Sequence, residues 1–124
     1  MKTLTWKKNK LILLDQTKLP TQEEYLQCSS WRQVEEAIKV LAVRGAPAIG
    51  VAAAYAVVLA ALELKKETDF RQKLADVIIT LDKARPTAVN LHWALERMNQ
   101  VVQKYNDVSV ETLIKALEDE AKFI

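Results

Sequence analysis

From Gly45 to Leu62 the chain runs through 18 consecutive residues without a charge. In a helix such a run is apolar on every side, and a helix apolar all round belongs either in a bilayer or at the centre of a protein. Eighteen residues lie near the lower limit for a membrane span, and much of the run is alanine, which adds little transfer energy. A helix buried at the centre of a soluble helical domain is the simpler reading. It predicts amphipathic helices packed around the run and no membrane partner.

The flanking sequence supplies such helices. Ser30-Trp31-Arg32-Gln33 has the spacing of a capping box, and Val34, Ala37, Ile38, Leu41 and Ala42 then fall on one helical face that should end before Gly45. After the buried helix, expected from about Ala46 to Leu64, Thr68 or Asp69 can cap another whose Phe70, Leu74, Val77, Ile78 and Leu81 share a stripe. Ala84-Arg85-Pro86-Thr87 interrupts it, since proline disfavours helical geometry in the residue before it, and Thr87 is placed to cap the next helix. That helix carries Leu91, Leu95, Met98, Val102 and Tyr105 on one face. Ser109 opens a last one with Val110, Leu113, Ile114 and Leu117 inward and Glu111 near the positive dipole end.

Before these helices the pattern is of short strands. Leu4 and Trp6 alternate with polar neighbours, Lys7-Lys8-Asn9-Lys10 reads as a polar turn, and Leu11-Ile12-Leu13-Leu14 is a short apolar run, together a hairpin. Glu24 to Cys28 offers a third strand. The expected fold is therefore α+β and mainly helical, with a small N-terminal antiparallel sheet of two to three strands followed by about five α-helices. A sheet this small must lean on the helices.

With 124 residues, half of them apolar, the chain is sized for one domain. Its formal charge of +2 is spread without a basic block, so no nucleic-acid partner is expected. A single cysteine, Cys28, excludes an internal disulfide, and Cys28 with the single His92 makes no structural zinc site, so no metal is expected. The single cysteine fits a reducing cytoplasm, and the residues after Met1 are mixed rather than an unbroken apolar core, which argues against a signal peptide. The last helix reaches Phe123-Ile124 without a glycine, asparagine or proline to stop it. From this missing signal the chain is expected to be an N-terminal piece of a longer protein.

Chemistry is concentrated at two junctions. In Val43-Arg44-Gly45-Ala46-Pro47-Ala48-Ile49-Gly50 an arginine precedes two small residues and a proline suited to the first helical position. The first N–H groups of a helix lack partners and carry the positive end of its dipole, so a phosphate could approach Gly45 and Ala46 closely while Arg44 adds a forked, charge-assisted pair of bonds. The plainer reading is a helix end and tight turn with Arg44 solvated. Arg85-Pro86-Thr87-Ala88-Val89-Asn90-Leu91 repeats the pattern. Arg85 either joins Arg44 on one phosphate or caps the carbonyls of the preceding helix. His92 reads as a surface or packing residue more readily than as an acid–base group, Cys28 lacks a basic neighbour that would activate it, and Asp15-Gln16 suits a turn as well as a site.

These blocks, with Leu14-Asp15-Gln16, Leu19-Pro20, Ala52-Ala53-Ala54-Tyr55 and Trp93-Ala94-Leu95, resemble the N-terminal domain of the S-methyl-5-thioribose-1-phosphate isomerase family, which is related to regulatory subunits of a translation-initiation exchange factor. The resemblance spans essentially the whole chain. It differs at Ala56, where related members have glycine. The resemblance implies an aldose–ketose isomerisation in methionine salvage without cofactor or metal, a homodimer in the full-length protein, and substrate binding by Arg44, Gly45, Ala46 and Arg85. It also implies that the catalytic residues lie in a Rossmann-like domain absent from this chain, so that none is assigned here and the piece alone should be inactive. Rival expectations are a non-catalytic regulatory subunit that binds a partner protein, an isomerase of ribose 1,5-bisphosphate, and a helical interaction module without a ligand.

Overall fold

The computed structural model describes residues 4–40, 43 and 46–124, which form a three-stranded antiparallel sheet followed by five α-helices. This is the mainly helical α+β architecture that the periodicities predict. Strands β1 (Leu4–Lys7) and β2 (Lys10–Leu14) are joined by Lys8 and Asn9, both at positive φ, 53° and 60°. Two left-handed residues in a two-residue loop match the twist of the strands they join. Strand β3 (Tyr25–Cys28) pairs with β2, placing Leu11 opposite Cys28 and Leu13 opposite Leu26. Leu11, Leu13 and Cys28 are buried. Between these strands Asp15 accepts the Thr17 N–H at 3.0 Å and the Thr17 hydroxyl at 2.6 Å, which closes a single 3-10 turn, Gln16–Lys18. Turn formation thus accounts for Asp15.

Helix α1 (Trp31–Lys39) begins with the expected capping box: Ser30 accepts from the Arg32 N–H, and the Gln33 side-chain oxygen accepts the Ser30 N–H at 3.1 Å. Val34, Ala37 and Ile38 are buried, while Leu41 and Ala42, assigned to the same face, lie outside the described residues. Glu63, the first charge after the apolar run, turns back to accept the Trp31 N–H at 2.9 Å.

Helix α2 (Ala46–Leu64) is the axis of the molecule. All residues from 52 to 61 are buried, and the other four helices together with β1 and β2 touch this helix. The segment Pro47–Leu64 is long and apolar enough to cross a membrane, but ten consecutive buried residues leave no face in that stretch for lipid. Tyr55 stacks on Trp6 at 4.7 Å between ring centroids, and the Trp6 indole N–H donates to Glu118 at 2.8 Å, so one side chain of β1 is held by two helices.

Helix α3 (Phe70–Asp82) buries Phe70, Leu74, Val77, Ile78 and Leu81, the stripe read from the spacing. Asp69 stands at its N-cap without a side-chain bond. Helix α4 (Val89–Lys104) buries Leu91, Leu95, Met98 and Val102, with Tyr105 half-buried at its end. Arg71 of α3 donates to the carbonyls of Val102, Tyr105 and Val108, satisfying the end of α4 and the turn beyond it. In α5 (Val110–Phe123) the Ser109 hydroxyl accepts the Thr112 N–H at 3.2 Å, Leu113 and Leu117 are buried, and Glu120 pairs with Arg97 of α4.

Candidate functional site

Helices α2 and α4 cross where both begin. A β-carbon added to Gly50 would lie 3.1 Å from the Asn90 carbonyl oxygen and 3.5 Å from the Ala94 β-carbon, so the two helices approach closely there and a β-carbon would need its neighbour to yield by a few tenths of an ångström. Next to this contact is an open hollow of about 360 Å³, lined by Pro47 and Gly50 of α2, Val89, Asn90 and Trp93 of α4, and Ile124. The two junctions singled out in the sequence thus lead into first turns that share one hollow. Val89 and Trp93 are exposed and give it an apolar wall.

The electrostatics of these first turns suit an anion. Neither α2 nor α4 has an acidic residue in its first turn, and no side chain caps α4. By contrast, α1 and α5 spend their first N–H groups on Ser30 and Ser109. The positive end of α4 is therefore left unopposed by a side-chain cap. Thr87 does not cap it, contrary to the reading from sequence. Pro86 instead starts a tight turn closed by the Ala88 N–H on the Arg85 carbonyl at 3.0 Å, which uses Thr87 inside the turn and leaves the cap position to Ala88. A methyl group accepts no hydrogen bond.

Arg85 is half-buried in that turn. The carbonyls of Thr80 and Leu81 at the end of α3 are taken by the N–H groups of Lys83 and Ala84, so that helix closes on backbone bonds. Among the described residues no hydrogen bond or ion pair occupies the Arg85 side chain. Of the other residues assigned to substrate, Ala46 opens α2, and Arg44, Gly45 and the Ala46 side chain lie outside the described residues. The structure brings together the two helix beginnings that those residues adjoin. Cys28 is buried and its thiol pKa is pushed up by burial, which fits an inert side chain.

Two features escaped the sequence reading. Gly50 received no role, although a glycine inside a helical run signals a close approach. The other is the bonding of His92, which reads from the sequence as a surface or packing residue: its Nδ1 meets the Asp82 carboxylate and its Nε2 lies 2.6 Å from the Pro86 carbonyl oxygen.

A model of the initiation factor 2 subunit family, IF-2B, matches residues 42–124. The chain belongs to this family. Its relatives include methylthioribose-1-phosphate isomerase of Caldanaerobacter subterraneus subsp. tengcongensis, 46% identical over 126 residues that cover 100% of this chain and 36% of the relative. Methylthioribose-1-phosphate isomerase 2 of Pseudothermotoga lettingae is 48% identical over 97% of this chain and 34% of its own. Among solved structures, 5-methylthioribose 1-phosphate isomerase from Pyrococcus horikoshii OT3 superposes with a TM-score of 0.93 at 33% identity, covering 98% of this chain and 35% of that one. Translation initiation factor eIF-2B subunit delta from A. fulgidus gives 0.89 at 37% identity, covering 98% and 36%. The chain spans about 36% of the length of the first of these isomerases. This fold occurs both in a solved isomerase and in a solved initiation-factor subunit.

Proposed function

We propose that this chain is the N-terminal, substrate-binding part of an isomerase that converts S-methyl-5-thioribose 1-phosphate to S-methyl-5-thioribulose 1-phosphate in methionine salvage. The observation that carries the reading is similarity through the whole chain, at 44–48% identity, to proteins named methylthioribose-1-phosphate isomerase. The shared hollow at two uncapped or acid-free helix beginnings supports it, because that is where an anionic group is favoured.

On this reading Arg44, Gly45 and Ala46 hold the phosphate at the start of α2, and Arg85 reaches it from the start of α4. Each guanidinium contributes about 1.5–3 kcal/mol through charge-assisted bonds. A phosphate on the anomeric carbon keeps the sugar from opening spontaneously to an aldehyde. The enzyme must assist ring opening and then move hydrogen between neighbouring carbons, with fixed positive groups limiting the charge that builds up. The acid and base for those steps belong to a Rossmann-like domain outside this chain, and neither cofactor nor metal takes part. The full-length protein acts in the cytoplasm as a homodimer.

The A. fulgidus structure favours a second reading, a non-catalytic subunit that binds a partner protein. An assay of the full-length protein separates the two. Conversion of S-methyl-5-thioribose 1-phosphate to the ketose is expected, with ribose 1,5-bisphosphate as the competing substrate and residues 1–124 alone inactive. Absence of turnover with both sugars would overturn the isomerase reading, and turnover by the isolated piece would overturn the division of labour.

A further inference from the structure

His92 lies between two hydrogen-bond acceptors. Its Nδ1 meets the carboxylate of Asp82, the last residue of α3, and its Nε2 lies 2.6 Å from the carbonyl oxygen of Pro86. Neither partner has a proton to give, so the ring satisfies both only by donating from both nitrogens, as the imidazolium does. Asp82 stands just before the 83–88 connection and Pro86 lies within it, and Arg85 is the residue immediately before Pro86. The ring therefore clasps the segment that carries Arg85.

We propose that His92 is a positioning residue for Arg85, and that its charged form holds the 85–88 turn in the geometry that binds the anion. This rests on the reading of Arg85 as a phosphate ligand. The charged groups facing the ring are Asp82 of α3 and Glu96 one turn further along α4, both acidic, and the other side chains lining that side are neutral. The bond to Asp82 first, and that to Pro86 second, hold the His92 pKa above its ordinary value of about 6.5. The clasp is thus complete below about pH 6.5 and is lost as the pH rises through the raised value. Because the ring is partly exposed, it exchanges its proton with solvent directly. A sugar phosphate changes its own charge near pH 6, and it does so identically for every variant, so the difference between variants isolates the protein's part.

The test is the pH profile of KM and kcat for the full-length protein with S-methyl-5-thioribose 1-phosphate, in the wild type and in His92→Gln, Asp82→Asn and Arg85→Ala. Relative to His92→Gln, the wild type is expected to bind about fivefold or more tightly at low pH and to lose that advantage as the pH rises, with kcat little changed. Asp82→Asn keeps the histidine but removes its carboxylate, so it should move the midpoint to lower pH. It also serves as the readout should His92→Gln fail to fold. KM profiles of the same shape in the wild type and in whichever of these variants folds would overturn the positioning role while leaving the anion site intact. An unchanged KM in Arg85→Ala would overturn the phosphate-ligand reading itself, and the positioning role with it.

Discussion

A glycine inside a helix costs about 1 kcal/mol relative to alanine, so Gly50 needs a compensating contact. It has one in the Asn90 carbonyl oxygen, 3.1 Å from where a β-carbon would stand. Gly50→Ala gains the helix propensity but forces α2 and α4 apart by a few tenths of an ångström, and overpacking of this kind costs about 1–3 kcal/mol. A net loss of about 1 kcal/mol is expected in urea unfolding, together with a raised KM for sugar phosphate, because the displaced contact forms one wall of the hollow. Stability equal to or above that of the unsubstituted protein would show that the crossing is looser than the geometry implies. The glycine itself was readable as a signal. Its partner was not, because Asn90 lies 40 positions further on and periodicity says nothing about which face of α4 meets α2.

At the scale of elements, the alanines of α2 are explained by crowding. Four helices and two strands pack around it, and every residue from 52 to 61 is buried. Small side chains let neighbouring backbones approach, so enlarging one of them strains several interfaces at once. Ala54, fully buried, is the position to probe: Ala54→Leu should destabilise by about 1–3 kcal/mol despite the good helix propensity of leucine, as read by the thermal or urea midpoint. A neutral effect would mean an unfilled space beside α2.

The helices themselves were legible because burial repeats with the helical period, and the Ser30 and Ser109 caps were legible because their chemistry is local. Thr87 misled for the same local reason. A threonine after a proline suits an N-cap, but here the hydrogen-bonded turn begun by Pro86 carries the chain one residue further before α4 starts. The clasp made by His92 joins residues 10 and 6 positions apart across a break between helices, and no repeat records it.

Over the whole molecule, the order of strands and helices followed from pattern, whereas the ties between distant parts did not. Trp6 bonded to Glu118 and Arg71 bonded across to the end of α4 are single long side chains meeting partners far along the chain. The apolar run of α2 announced its central place, since a helix without a polar side has to be surrounded. The same packing sets α2 and α4 so that their first turns open on one hollow, and this converts two separate arginine–proline junctions into a candidate for one anion site.

Arg44 and Arg85, about 40 residues apart, are proposed to grip the same phosphate. A double-mutant cycle on the full-length protein decides this, measuring sugar-phosphate affinity for Arg44→Ala, Arg85→Ala and the two combined. Each single change is predicted to weaken binding by about tenfold to a hundredfold, with the double variant departing from the sum of the two by about 0.5 kcal/mol or more. Affinity unchanged in both single variants would contradict the claim.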